Sequence, residues 1–160
     1  MIRTHAMSEP TRIARMAHHG TSSIDVDATA EELMAIVSDL ESYPDWLPDV
    51  KGVEVLGTDS EGRPTASTMT VDVTIKEVTY TLDYEYDGVE RMSWTSRPGG
   101  DVKSIIGSYA FEINDDGGTT VTYDLAIDPG FPVPGFLLKR AAKHITAAAI
   151  EGLKARAEDA

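Results

Sequence analysis

From Val50 onward, apolar and polar residues alternate with a period of two. Val53 and Val55 flank Glu54; Met69, Val71, Val73 and Ile75 alternate with Thr70, Asp72 and Thr74; Val78, Tyr80, Leu82, Tyr84 and Tyr86 alternate with Thr79, Thr81, Asp83 and Glu85. The pattern continues through Met92 and Trp94, then Ile105, Gly107, Tyr109, Phe111 and Ile113, then Val121, Tyr123, Leu125 and Ile127. Strict alternation puts the two sets on opposite faces of a β-strand. The interruptions are turn-formers: Gly57 to Pro64, Asp87-Gly88, Pro98-Gly99-Gly100 and Asn114-Asp115-Asp116-Gly117-Gly118. Connections this short require antiparallel neighbours, because a parallel partner needs a long crossover.

The two ends of the chain follow other periods. Ser22 to Asp27 alternates and predicts a first strand, and Thr29 with Glu32 forms a capping box before Leu33, Ile36, Val37 and Leu40 at helical spacing. Ser42-Tyr43-Pro44-Asp45-Trp46-Leu47-Pro48 is bounded by prolines and holds only a short helix. After the Pro/Gly-rich run from Asp128 to Gly135, Leu138, Ala141, Ile145, Ala148, Ala149 and Leu153 recur at steps of three and four along one side of a long terminal helix. Pro134 suits its start, and Arg156 stands near its end.

These elements predict an α+β fold: a curved antiparallel sheet of about seven strands wrapped around the long C-terminal helix, with two short helices after strand one. A sheet with one apolar face needs a cover, and the terminal helix is the long element that supplies it. Residues 21–160 read as one domain. Residues 1–20 carry Arg3, Arg12 and Arg15 against Glu9, and also hold His5, His18 and His19. They read as a disordered tail with no part in the fold.

The inward set raises the question of function. Tyr80, Tyr84, Trp94, Tyr109 and Tyr123 each carry a polar atom that needs a partner when buried. They face a helix side built mainly of alanine. Aromatics opposite small residues enclose space, so the expected site is a ligand chamber lined by those five from the sheet and by Leu138, Ala141, Ile145 and Ala148 from the helix, with Trp46 gating the mouth. His144 sits about 100° round the helix from Ile145, at the shoulder of the buried face, and is a candidate polar group at the rim.

Charge narrows the partners. The formal net charge of −13 argues against nucleic acid, whose phosphates demand a basic face. Lys139, Arg140, Lys143 and His144 form a local exception, a basic lip that suits an anionic group or transient contact with an anionic membrane. Hydrophobic content of 41% is that of a soluble globular domain, and no apolar run approaches the roughly 20 residues of a membrane span. With no cysteine, thiol catalysis, iron–sulfur clusters and Cys-based zinc sites are excluded, and a cytoplasmic location is expected. No metal or cofactor is expected. Asp25-Val26-Asp27-Ala28-Thr29 matches the D-x-D-x-T pattern of aspartate-nucleophile phosphatases, but that chemistry needs a parallel sheet, and Thr29 is accounted for as a helix cap. No H-E-x-x-H or P-loop pattern occurs, and Gly107-Ser108-Tyr109-Ala110 lacks the second glycine of a nucleophile elbow.

Three segments, Tyr43-Pro44-Asp45-Trp46-Leu47-Pro48, Gly107-Ser108-Tyr109-Ala110-Phe111-Glu112 and Phe136-Leu137-Leu138-Lys139-Arg140-Ala141-Ala142-Lys143-His144, set in this order of elements, resemble the START-like (SRPBCC) superfamily. The chain is most similar to its polyketide cyclase/dehydrase and coenzyme Q-binding branch, in the small actinobacterial form, over roughly Ser22 to Ala157. The resemblance implies a helix-grip fold with a deep apolar cavity that holds a lipid, isoprenoid quinone or polyketide-like molecule. It carries no catalytic residue onto this sequence. The expected function is therefore binding or carriage of a hydrophobic or aromatic small molecule, by a monomer or dimer. The alternatives are an aromatase/cyclase using tyrosine hydroxyls or His144 for proton transfer, and docking of a basic partner on the acidic exterior at Asp72, Asp83 and Glu85.

Overall fold

The computed structural model describes residues 18–73 and 76–159. In chain order these form β1 (His18–Val26), α1 (Ala30–Ser38), a 3-10 turn (Leu40–Ser42), α2 (Tyr43–Trp46), β2 (Val50–Thr58), β3 (Pro64–Asp72), β4 (Glu77–Asp87), β5 (Arg91–Ser96), β6 (Ser104–Ile113), β7 (Thr119–Asp128) and α3 (Gly135–Glu158). The strands make one seven-stranded sheet in the order β1-β7-β6-β5-β4-β3-β2. Every neighbouring pair is antiparallel, so β2 to β7 is a meander and β1 closes onto β7. Register shifts between β2 and β3 near Gly52 and Gly57 add the local twist that curls the sheet. With α3 laid across the concave side, this is the helix-grip fold.

Local chemistry places the helices. Thr29 Oγ1 accepts from the Glu32 amide at 3.1 Å, and Glu32 Oε1 accepts from the Thr29 amide at 2.8 Å, which completes the capping box at α1. The D-x-D-x-T segment is thereby absorbed: Thr29 caps, and Asp25 accepts from the Thr120 hydroxyl at 2.8 Å across the β1–β7 pair.

Two sequence expectations need correction. β1 begins at His18 rather than at Ser22, because β7 runs on to Asp128 and offers backbone partners to His18, His19 and Gly20 opposite Ile127, Ala126 and Leu125. His19 also bonds Asp124 at 2.8 Å. The remainder of the expected tail, residues 1–17, lies outside the described residues, as does Ile75. Ile113, in phase with the inward set, is 79% exposed, since it ends β6 at the hairpin rim beyond the covering helices.

The core explains what α3 does. Leu33, Val37, Met92, Val121 and Leu153 are fully buried. In its second half α3 buries Ala149, Ile150 and Leu153, and its closest neighbours are β1, β7, α1 and α2. Gly152 allows this approach: a Cβ there would stand 3.2 Å from both the Trp46 ring and the Trp46 carbonyl. The first half is held differently. Phe136, Lys139, Arg140 and Lys143 are exposed, and Ala142 is the one buried residue before Ala149. The alanine face thus lies tight against the fold over one half and leaves room beneath the other.

Candidate functional site

The room beneath α3 is a cavity of about 220 Å³. For scale, an engineered apolar cavity of roughly 150 Å³ admits benzene. Its floor is the inward face of β3 to β7: Met69 and Val71, then Val78, Tyr80, Leu82 and Tyr84, then Trp94, then Ile105 and Tyr109, then Tyr123, Leu125 and Ile127. α3 contributes His144, Ile145, Ala148 and Ala149 as the roof. The entry side is closed by Tyr43, Leu47, Pro48, Asp49 and Val50, with Val73 and Val102 from the strand connections.

Trp94 is the centre of the floor. Its ring centroid lies 5.8 Å from those of Tyr109 and Tyr123 and 6.5 Å from that of Tyr84. The indole lies flat over Gly107, where a Cβ would meet Trp94 Nε1 at 2.5 Å. Only glycine fits there, and the reason is space alone.

The hydroxyls of the wall tyrosines divide into two sets. Tyr84 Oη shares a hydrogen bond with Ser67 Oγ at 2.8 Å, Tyr109 donates to the Ala149 carbonyl at 3.0 Å, and Tyr43 donates to the Val37 carbonyl. These three stitch the fold together. Tyr80 and Tyr123 have no hydrogen-bond partner for their hydroxyls among the described residues. Burial raises the Tyr80 phenol to about 12 and pushes Tyr123 up as well, with neighbouring phenols adding to the latter, so both stay protonated at neutral pH.

Charge is confined to the mouth. His144 Nε2 and Asp49 Oδ2 lie 2.8 Å apart, with both side chains substantially exposed, and join α3 to the segment after α2. No lysine or arginine lines the wall. Outside, Phe136, Lys139, Arg140 and Lys143 share one exposed face of α3, and these three cations have no acidic partner among the described residues. Of the acidic exterior, Asp83 is held by Arg97, with contacts from 2.8 Å, which lowers its carboxyl pKa. No cluster of three or more His, Asp or Glu side chains able to hold a metal occurs among the described residues. No helix among them is long and apolar enough to cross a membrane.

Against the sequence expectation, the structure brings Tyr80, Tyr84, Trp94, Tyr109, Tyr123, Ile145 and Ala148 into one wall, with His144 at the rim. Trp46 is not part of it. It packs edge-on to Tyr43 at 5.3 Å and into the notch left by Gly152, and its indole N–H is buried without a partner. The short helix turns it towards α3, and Leu47 to Val50 reach the mouth in its place. Leu138 and Ala141 are also absent from the wall. They lie on the right face of α3 but about 10 and 6 Å further along its axis than Ile145, past the end of the cavity. The aliphatic floor and Ala149 were inward in the alternation and helical spacing; Asp49 and Val102 carried no periodic signal.

The family model for polyketide cyclase / dehydrase and lipid transport matches residues 17–158. No curated protein sequence matches the chain. Among solved structures the fold is similar to a START superfamily protein from Mycobacterium smegmatis, 24% identical with a TM-score of 0.79, covering 89% of this chain and 98% of that one. It is also similar to the Zhui aromatase/cyclase from Streptomyces sp. R1128, 17% identical with a TM-score of 0.75, covering 89% of this chain and 94% of that one. A STAR-related lipid transfer protein from Xanthomonas axonopodis is 16% identical with a TM-score of 0.69, covering 88% and 85% respectively. At these identities the likeness is one of fold.

Proposed function

The chain belongs to the polyketide cyclase/dehydrase and lipid transport family, and from that premise we propose that it binds a hydrophobic small molecule, a lipid, isoprenoid quinone or polyketide-like compound, between the sheet and α3. The observation that carries this reading is the wall itself: a 220 Å³ space whose side chains are aliphatic or aromatic, with the ionisable pair His144–Asp49 at its edge. Ligand binding removes apolar surface from water without reorganising the floor. The reading assumes a cytoplasmic protein.

Ala148 points into this space and tests it directly. Ala148→Phe is expected to fill the cavity, so that the Trp94 fluorescence response to quinones, fatty acids and aromatic polyketides falls below detection while thermal unfolding stays cooperative. Undiminished binding in Ala148→Phe would place the ligand elsewhere. Small molecules extracted from protein purified from its native host, identified by mass spectrometry, would name the class.

The second reading, an aromatase/cyclase, is favoured by one feature, the His144–Asp49 pair at the mouth. Its signature is turnover that disappears in His144→Ala. The wall offers proton transfer little else, because burial holds its phenols protonated.

We also propose that ligand is exchanged at an anionic membrane surface through the face bearing Phe136, Lys139, Arg140 and Lys143. Three cations near such a surface contribute about 3 kcal/mol, and Phe136, 65% exposed, adds an apolar contact. Reversing Lys139, Arg140 and Lys143 to glutamate is expected to abolish co-sedimentation with phosphatidylserine vesicles. Retained sedimentation in that variant, or equal sedimentation with uncharged vesicles, would refute the contact.

A further inference from the structure

The cavity's polar inventory specifies more than hydrophobicity. Of the tyrosines in its wall, Tyr43, Tyr84 and Tyr109 spend their hydroxyls on protein atoms. Tyr80 and Tyr123 do not, although Tyr123 is only 6% exposed. Neither oxygen is among the sealed, unpartnered polar atoms of the described residues, so both open onto the cavity and are free to bond what enters it. These two are on β4 and β7, on opposite sides of Trp94, and both line the cavity, so they face the same space. Being protonated, each presents a donor.

The second constraint is charge. The wall holds no lysine or arginine, and its one carboxylate, Asp49, stands at the mouth. An anion drawn inside would lose its hydration and meet no cation in the depth of the wall, since His144 stands at the rim and is already bonded to Asp49.

Building on the binding function proposed above, we infer that the ligand is an uncharged, largely hydrocarbon molecule whose carbonyl or hydroxyl oxygen is held by the phenols of Tyr80 and Tyr123. Fatty carboxylates and phosphate esters are thereby disfavoured. The two hydroxyls fix how the molecule sits, and the aliphatic floor tolerates variation in the remainder.

Three probes of similar shape separate these terms: 2-methyl-1,4-naphthoquinone, 2-methylnaphthalene and 2-naphthoate, titrated by calorimetry at pH 7 into the full chain. The quinone is expected to bind tighter than the hydrocarbon, and naphthoate at least about a hundredfold weaker than the quinone. Tyr80→Phe and Tyr123→Phe are each expected to reduce the quinone-to-hydrocarbon affinity ratio by about three- to tenfold. Tyr86→Phe, whose hydroxyl donates to the Pro64 carbonyl outside the wall, should leave the ratio unchanged. Naphthoate binding as well as the quinone, or a ratio unmoved in both wall variants, overturns the inference while leaving the binding function intact. If none of the three probes binds, both readings fall together.

Discussion

Replacing Gly107 by alanine is expected to destabilise the fold by about 1–3 kcal/mol and to close the cavity at the same time. The new methyl would lie 2.5–2.6 Å from Trp94 Nε1, Cε2 and Cζ2, closer than any real contact, so the indole must leave the sheet. Tyr84, Tyr109 and Tyr123 surround it within the floor, and the remaining direction is upward into the cavity. Stability and ligand capacity should therefore fall together, read by denaturant unfolding and by the Trp94 fluorescence response. Gly52→Ala is the matched control. It also lies in a strand, but its Cβ would meet only Thr70 Cβ at 4.0 Å. If Gly107→Ala binds ligand as well as the parent chain, Trp94 does not form the floor as described.

A second large effect is expected at alkaline pH. Burial raises the phenols of Tyr43, Tyr80, Tyr84, Tyr109 and Tyr123, and neighbouring phenols add to the shift at all but Tyr80. Because the folded values lie above the unfolded one near 10, this contribution is intact below pH 10. Above it the unfolded chain ionises while the folded chain does not, and each phenol removes roughly 1.4 kcal/mol per pH unit. Tyr80 saturates first, near its folded value of about 12. Summed over such a set, the loss exceeds a typical stability of about 5–15 kcal/mol within one to two units, so cooperative unfolding is expected between about pH 11 and 12. Phenolate absorbance should rise in the same step as the loss of far-ultraviolet circular dichroism. A gradual rise from pH 10 with the fold intact would mean that these hydroxyls are open to water.

Much of this architecture is legible in the chain, for identifiable reasons. The period-two runs place Tyr80, Tyr84, Trp94, Tyr109 and Tyr123 on one face because a half-buried strand has no other way to satisfy them, and short turns leave antiparallel pairing as the available topology. The capping box at Thr29 and Glu32 is a local device and is read locally. What escapes is whatever depends on distance in space rather than in sequence. Helical spacing gives the angle of Leu138 and Ala141 but not their height relative to the sheet. The direction of Trp46 follows from the notch at Gly152, more than a hundred residues on. Likewise His144 meets Asp49, and Tyr109 meets the Ala149 carbonyl, across long separations. The start of β1 is set by how far β7 extends, since His18 to Gly20 have no apolar alternation of their own. Hydroxyl satisfaction, which separates Tyr80 and Tyr123 from the others, is a property of the assembled wall.

The uneven seating of α3 has a mechanical consequence. The helix behaves as a beam clamped at its carboxyl end, where Ala149, Ile150 and Leu153 are sunk into the core, and carried only lightly at its amino end. Swinging the free end outward breaks the His144–Asp49 bridge and uncovers Ile145, but it draws no large fully buried side chain from its socket. A guest can then enter and leave by local opening, at far less free energy than unfolding the domain.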